Sequence, residues 1–164
     1  MAVLTLAELK RHLGTKAPDS EADLSALITA AEAWAANRCG PLEPTPATVR
    51  VRGGRSLVVP GPVISVTSVT ARSGAVVDAG SYYLLGDSGV IASDNGFAED
   101  FYDVVYSAGR TACPADLKEA VKEKARDIWM PRRGPAAGIA GSEPSNAGRR
   151  ADELSAPYAR PGFD

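Results

Sequence analysis

The chain has little of what most catalytic and metal-binding sites are built from. One histidine, His12, and two cysteines, Cys39 and Cys113, occur in 164 residues. Two thiols are too few for a disulfide framework or a thiolate zinc site, and the expected state is two reduced thiols at helix ends. A lone histidine without a paired nucleophile makes no catalytic triad. No glycine-rich loop ends in the Lys-Ser or Lys-Thr that cradles phosphate. Aromatic residues amount to 6%, which argues against a surface cluster that would grip a peptide or sugar. Charge of one sign is also missing. With 18 basic and 20 acidic residues the formal net charge is -2, whereas a protein that holds nucleic acid by its backbone carries a basic excess. No run approaches the ~20 apolar residues that span a bilayer, so no membrane partner is expected. Met1 to Leu6 shows no charged start followed by a long apolar stretch, so the expected product has no secretory signal and is made in a cytoplasm.

What the chain does have is a hydrophobic fraction of 45%, enough for a real core in one domain of common size plus an appendage. Thr5 and Glu8 fit a capping box with Leu4 ready to staple onto Leu9, and Leu6, Leu9 and Leu13 share a face before the stop at Gly14. A second helix is expected over 20–38, with Leu24, Leu27, Ile28, Ala31, Trp34 and Ala35 on one face and Gly40-Pro41 closing it. The period then changes to two. Val49 and Val51 alternate with Arg50 and Arg52, and Gly53-Gly54 reads as a tight hairpin turn into Leu57, Val58 and Val59. Val63 to Thr70 is β-branched, Val76-Val77 resumes the pattern, and Tyr82–Leu85, Val90-Ile91 and Phe101–Tyr106 complete an antiparallel meander. A third helix is expected over about 114–130, opened by Pro114 and ended by Pro131. Leu117, Ala120, Val121, Ala125 and Ile128 form its apolar stripe, and Asp116, Lys118, Glu119, Lys122, Glu123 and Arg126 are expected to face water.

Beyond Pro131 periodicity vanishes, and five prolines and five glycines fall within residues 131–164. The only large apolar side chains there are Ile139, Leu154, Tyr158 and Phe163, too few to offset the conformational entropy of ordering the segment. The tail is therefore expected to be extended and to gain order from a partner. Arg132, Arg133, Arg149, Arg150 and Arg160 face four acidic residues in the same segment. The sharper reading is a docking strap whose arginines pair with acidic groups on another chain, and the plainer one is a solubilising linker. The acidic residues Asp94, Glu99, Asp100 and Asp103 lack the loop spacing of a calcium site and read as solvated turn residues. No catalytic residue, metal site or cofactor is expected.

Three segments carry a resemblance. The first is the helix pair Leu4–Leu13 and Ser20–Arg38 with its Gly-Pro stop. The second is Gly61-Pro62-Val63-Ile64-Ser65-Val66-Thr67-Ser68-Val69, continued by Tyr82-Tyr83-Leu84-Leu85 and Gly89-Val90-Ile91. The third is Val104-Val105-Tyr106-Ser107-Ala108-Gly109, followed by Cys113-Pro114-Ala115-Asp116-Leu117-Lys118-Glu119-Ala120-Val121. Over about residues 1–130 the chain resembles the head-tail connector, or adaptor, family of long-tailed bacteriophages. The resemblance implies an α+β fold: a small helical bundle of two N-terminal helices and one C-terminal helix, with an inserted antiparallel β-region over about 47–107. It also implies a structural, non-enzymatic virion protein of the neck, below the portal vertex. Such a protein forms a ring of identical subunits, usually twelve. The ring joins the portal protein to a stopper or tail-completion protein and extends the channel for double-stranded DNA without reading its sequence. Other neck rings (a stopper or tail terminator) and a small binding module are the alternatives. Residues 131–164 lie outside the family's matching core. Docking on the portal is expected there, through Arg132, Arg133, Ile139, Arg149, Arg150, Leu154, Tyr158, Arg160 and Phe163.

Overall fold

The computed structural model describes residues 3–15, 21–132 and 146–159. They fall into two compact units, one spanning Gly40–Ala112 and the other built from the residues on either side of it.

The helical unit begins with α1 (Leu6–Leu13), capped as its sequence demands. Thr5 Oγ1 accepts from Glu8 N–H, the Glu8 carboxylate accepts from Thr5 N–H, and Gly14 closes the helix at φ 65°. Leu4 and Leu9 are both fully buried. Helix α2 (Glu21–Cys39) turns Leu24, Leu27, Ile28, Ala31, Ala35 and Cys39 inward; its expected start at Ser20 lies outside the described residues. Helix α3 (Ala115–Arg132) begins one residue later than expected, because Pro114 caps it by accepting from Lys118 N–H at 2.9 Å. It also runs through Pro131 rather than stopping before it. A proline in the last turn removes a single ladder bond, which the preceding turns easily outweigh.

The larger departure is a fourth helix, α4 (Ala147–Ser155), prolonged by a 3₁₀ turn over Ala156–Tyr158. This stretch was expected to be extended. The segment has few large apolar side chains, but α4 packs through small ones. Ala147, Ala151 and Ser155 recur every four residues and are buried, and a Cβ on Gly148 would stand 3.0 Å from the Asp127 carboxylate. Small side chains let two helices approach closely, so dispersion contacts with backbone replace the missing bulk.

The β-unit holds two antiparallel sheets. In one, β6 (Phe101–Ala108) lies between β1 (Thr45–Arg52) and β3 (Val63–Ala71). In the other, β5 (Val90–Ala92) lies between β2 (Ser56–Val58) and β4 (Tyr83–Leu84). The pairing is antiparallel, as expected. The order is not that of a meander, and Gly53-Gly54 is not a hairpin turn between paired strands. Strand β1 pairs over its whole length with β6, from Thr45–Ala108 to Arg52–Phe101. A β2 of three residues could satisfy only part of that edge. Gly53 instead hands the chain to the second sheet: its N–H donates to Asp100 O at 2.9 Å, and Phe97 N–H donates to Gly54 O at 2.7 Å. A Cβ on Gly53 would stand 1.8 Å from Glu99 O, so this backbone-to-backbone approach demands glycine. The expected strand at Val76-Val77 is reduced to a single bridge to Thr70.

Both sheets share one core. Leu57 and Ile91 from one sheet meet Val69, Val104 and Tyr106 from the other. Tyr102 packs edge-on against Phe97, with centroids 5.3 Å apart, and its hydroxyl accepts from Glu99 N–H at 3.0 Å.

Candidate functional site

The polar side of the helical unit gathers its charged chemistry where α1, α3 and α4 meet. Helical spacing places Glu119 and Glu123 four residues apart on one face of α3. His12, near the end of α1, lies over that face. Its Nδ1 is 4.0 Å from Glu119 Oε1 and its Nε2 is 3.9 Å from Glu123 Oε1. From α4, Arg150 Nε comes within 3.6 Å of Glu123 Oε1, and Arg126 of α3 reaches the other oxygen at 4.0 Å.

Glu123 was expected to face water and does not. It is 3% exposed and is the one charged residue buried among those described. The periodicity of α3 by itself implies one apolar stripe and one wet face. With α1 and α4 packed on it, part of the second face is covered too. The signal available in sequence was the pairing of Glu119 and Glu123 at i, i+4 with a single histidine on another amphipathic helix. Glu119 is held below the usual carboxylate range, first by its hydrogen bond from Lys122 at 2.8 Å, with smaller help from His12 and Arg150.

The expected docking residues divide. Arg133, Ile139, Arg160 and Phe163 lie outside the described residues, as does the side chain of Arg132. Arg149 and Arg150 project from α4 with exposed side chains, the first 3.7 Å from Glu153 and the second toward Glu123. Leu154 and Tyr158 are half-buried. Helix α4 is further tied to α2, where Cys39 Sγ donates to Ser155 O at 3.7 Å and Arg38 lies 3.8 Å from Asp152. Cys39 is buried at the end of α2, and Cys113 is half-buried just before α3.

The acidic residues of the β-unit serve its own architecture. Glu99 accepts from both the N–H and hydroxyl of Ser73. Asp103 takes a bidentate pair from Arg50 at 2.7 Å to each oxygen, which lowers the carboxyl's pKa and raises the guanidinium's. Open depressions beside Arg72, Glu99 and Asp100, and beside Arg55, Asp94 and Asn95, hold no histidine or cysteine.

A family model described as head completion protein matches residues 2–123. Among the solved structures that share the fold are two neck structures. One, the neck of a native GTA particle computed with C12 symmetry, superposes with a TM-score of 0.66 at 19% identity, covering 96% of this chain and 88% of that one. The other, the neck of an empty GTA particle computed with C6 symmetry, gives 0.62 at 22% identity, covering 93% and 89%. No curated protein matches the chain.

Proposed function

This chain belongs to the head completion protein family, and from that premise we propose that it is a structural ring subunit of the neck of a phage or phage-like particle. The observation that carries the reading is the fold shared, over nearly the whole chain, with the neck structure computed with C12 symmetry. Twelve copies pack side by side through a heterologous interface that closes by rotation. The ring is made in the host cytoplasm and built into the virion below the portal. It joins the portal to a stopper or tail-completion protein and continues the channel for double-stranded DNA. A net charge of -2 supports a wall along which DNA passes without a sequence-specific grip. The role is assembly rather than catalysis.

Residues 1–130 make the ring body, and residues 131–164 make the portal contact. The exposed side chains of Arg149 and Arg150 on α4 support this reading, since they can pair with acidic groups of the portal. Cryo-electron microscopy of the chain mixed with the portal protein of the same genome tests both parts. A ring stacked coaxially on the portal, with the C-terminal segment running into portal grooves, is the expected result. A chain that stays monomeric and forms no complex rejects the ring and the docking together.

A further inference from the structure

We propose that His12, Glu119 and Glu123 form a binding site for a divalent transition cation of the Zn²⁺ class, which joins α1 to α3. Three observations within the helical unit carry this, and none depends on the assembly role.

The first is an unmet demand. Glu123 is buried, and the cationic atoms that pair with its carboxylate, on Arg150, His12 and Arg126, stand at 3.6, 3.9 and 4.0 Å, beyond hydrogen-bond length. Buried carboxylates ordinarily take hydrogen bonds or a metal ion. The second is its counterpart. His12 Nε2 is sequestered from solvent and has no hydrogen-bond partner among the described residues, while the 3.9 Å to Glu123 Oε1 is too long for a hydrogen bond. Two polar groups face each other across a gap that neither fills.

The third is the geometry of the gap. One ligand atom each from His12, Glu119 and Glu123 can be chosen so that all lie within 4.8 Å of one another. Zinc bonds of about 2.0–2.2 Å set tetrahedral ligand atoms roughly 3.3 Å apart, so small side-chain rotations suffice. One imidazole and two carboxylates suit Zn²⁺ and its first-row neighbours better than calcium, and a water completes the coordination. Glu119 has an oxygen to give, because Lys122 holds Oε2 while Oε1 faces His12. The opposing feature is positive charge from Lys122, Arg126 and Arg150. The nearest of these to Glu123, Arg150, has a side chain 62% exposed, so it can turn into water when the ion enters. The cation and Arg150 therefore compete for one carboxylate.

Isothermal titration of the chelator-stripped full chain with Zn²⁺ tests the site, with Co²⁺ absorption as a check on ligand type. One ion per chain is expected, with visible cobalt bands. His12→Ala should abolish both signals. Glu119→Gln, at a partly exposed position that leaves the fold intact by circular dichroism, should weaken binding by roughly tenfold or more. Arg150→Ala should tighten it, an effect that a purely structural role for the cluster would not produce. The absence of binding to the wild-type chain overturns the proposal, as does binding that His12→Ala leaves unchanged.

Discussion

Lys118 Nζ donates a 2.7 Å hydrogen bond to Glu8 Oε1, joining α3 to the first turn of α1 across 110 residues of sequence. The same carboxylate closes the α1 capping box, accepting from Thr5 N–H at 2.9 Å through its other oxygen. One side chain thus starts a helix and attaches it to another.

That double duty has a pH signature. The Lys118 ammonium first, then the Thr5 bonds, hold the Glu8 carboxyl down from 4.5 to about 2. A depressed carboxyl stabilises the fold fully above its unfolded pKa and loses that contribution as pH falls through the folded one. Urea midpoints should therefore fall between about pH 4.5 and 2, and Glu8→Gln should flatten this part of the profile. Parallel curves for the two proteins would show that Glu8 is not the group responsible.

Gly53→Ala should be among the most damaging single changes in the β-unit. The new methyl would sit 1.8 Å from Glu99 O, forcing apart the backbone contact that sends the chain from one sheet to the other. A loss of about 3 kcal/mol or more is expected from denaturant unfolding. Gly74→Ala is the control: its surroundings are open at φ 89°, so only the left-handed conformation is penalised, by about 1–2 kcal/mol.

Leu57→Ala should cost about 2–5 kcal/mol. Leu57 is fully buried in the core shared by both sheets, so the lost methyl groups leave a cavity that two sheets would have to collapse together. A cost under 1 kcal/mol would mean that the sheets readjust freely, contrary to a close-packed core.

Helix α4 should be evicted by bulk rather than by loss of charge. Ala151 is fully buried, and Ala151→Leu is expected to cost about 1–3 kcal/mol while raising hydrogen exchange over 147–158. Arg149→Ala, on a side chain 72% exposed, should leave both readings unchanged.

Much of the architecture was legible because local chemistry decided it. Thr5 and Glu8 announce the start of α1, Gly14 its end, and the alternation from Val49 to Val51 and from Tyr102 to Tyr106 marks strands whatever they pair with. Strand partners were not legible, since alternation tells which face of β1 is buried and nothing about which edge it seeks. Equal length settled that, with eight residues of β1 meeting eight of β6. Helix α4 escaped notice for a related reason. Its stripe of Ala147, Ala151 and Ser155 is weakly hydrophobic and gains its energy only when a partner helix is near enough for backbone contact.

The polar cluster divides in the same way. Sequence alone put His12 on one amphipathic helix and Glu119 and Glu123 one turn apart on another, because helical periodicity is a local property. Only the packing of α1, α3 and α4 decided that these three would meet, and that Glu123 would be buried 3.9 Å from an imidazole nitrogen that has no hydrogen-bond partner among the described residues. Burial depends on what covers a surface, and that is settled by tertiary contacts between segments more than a hundred residues apart in the chain.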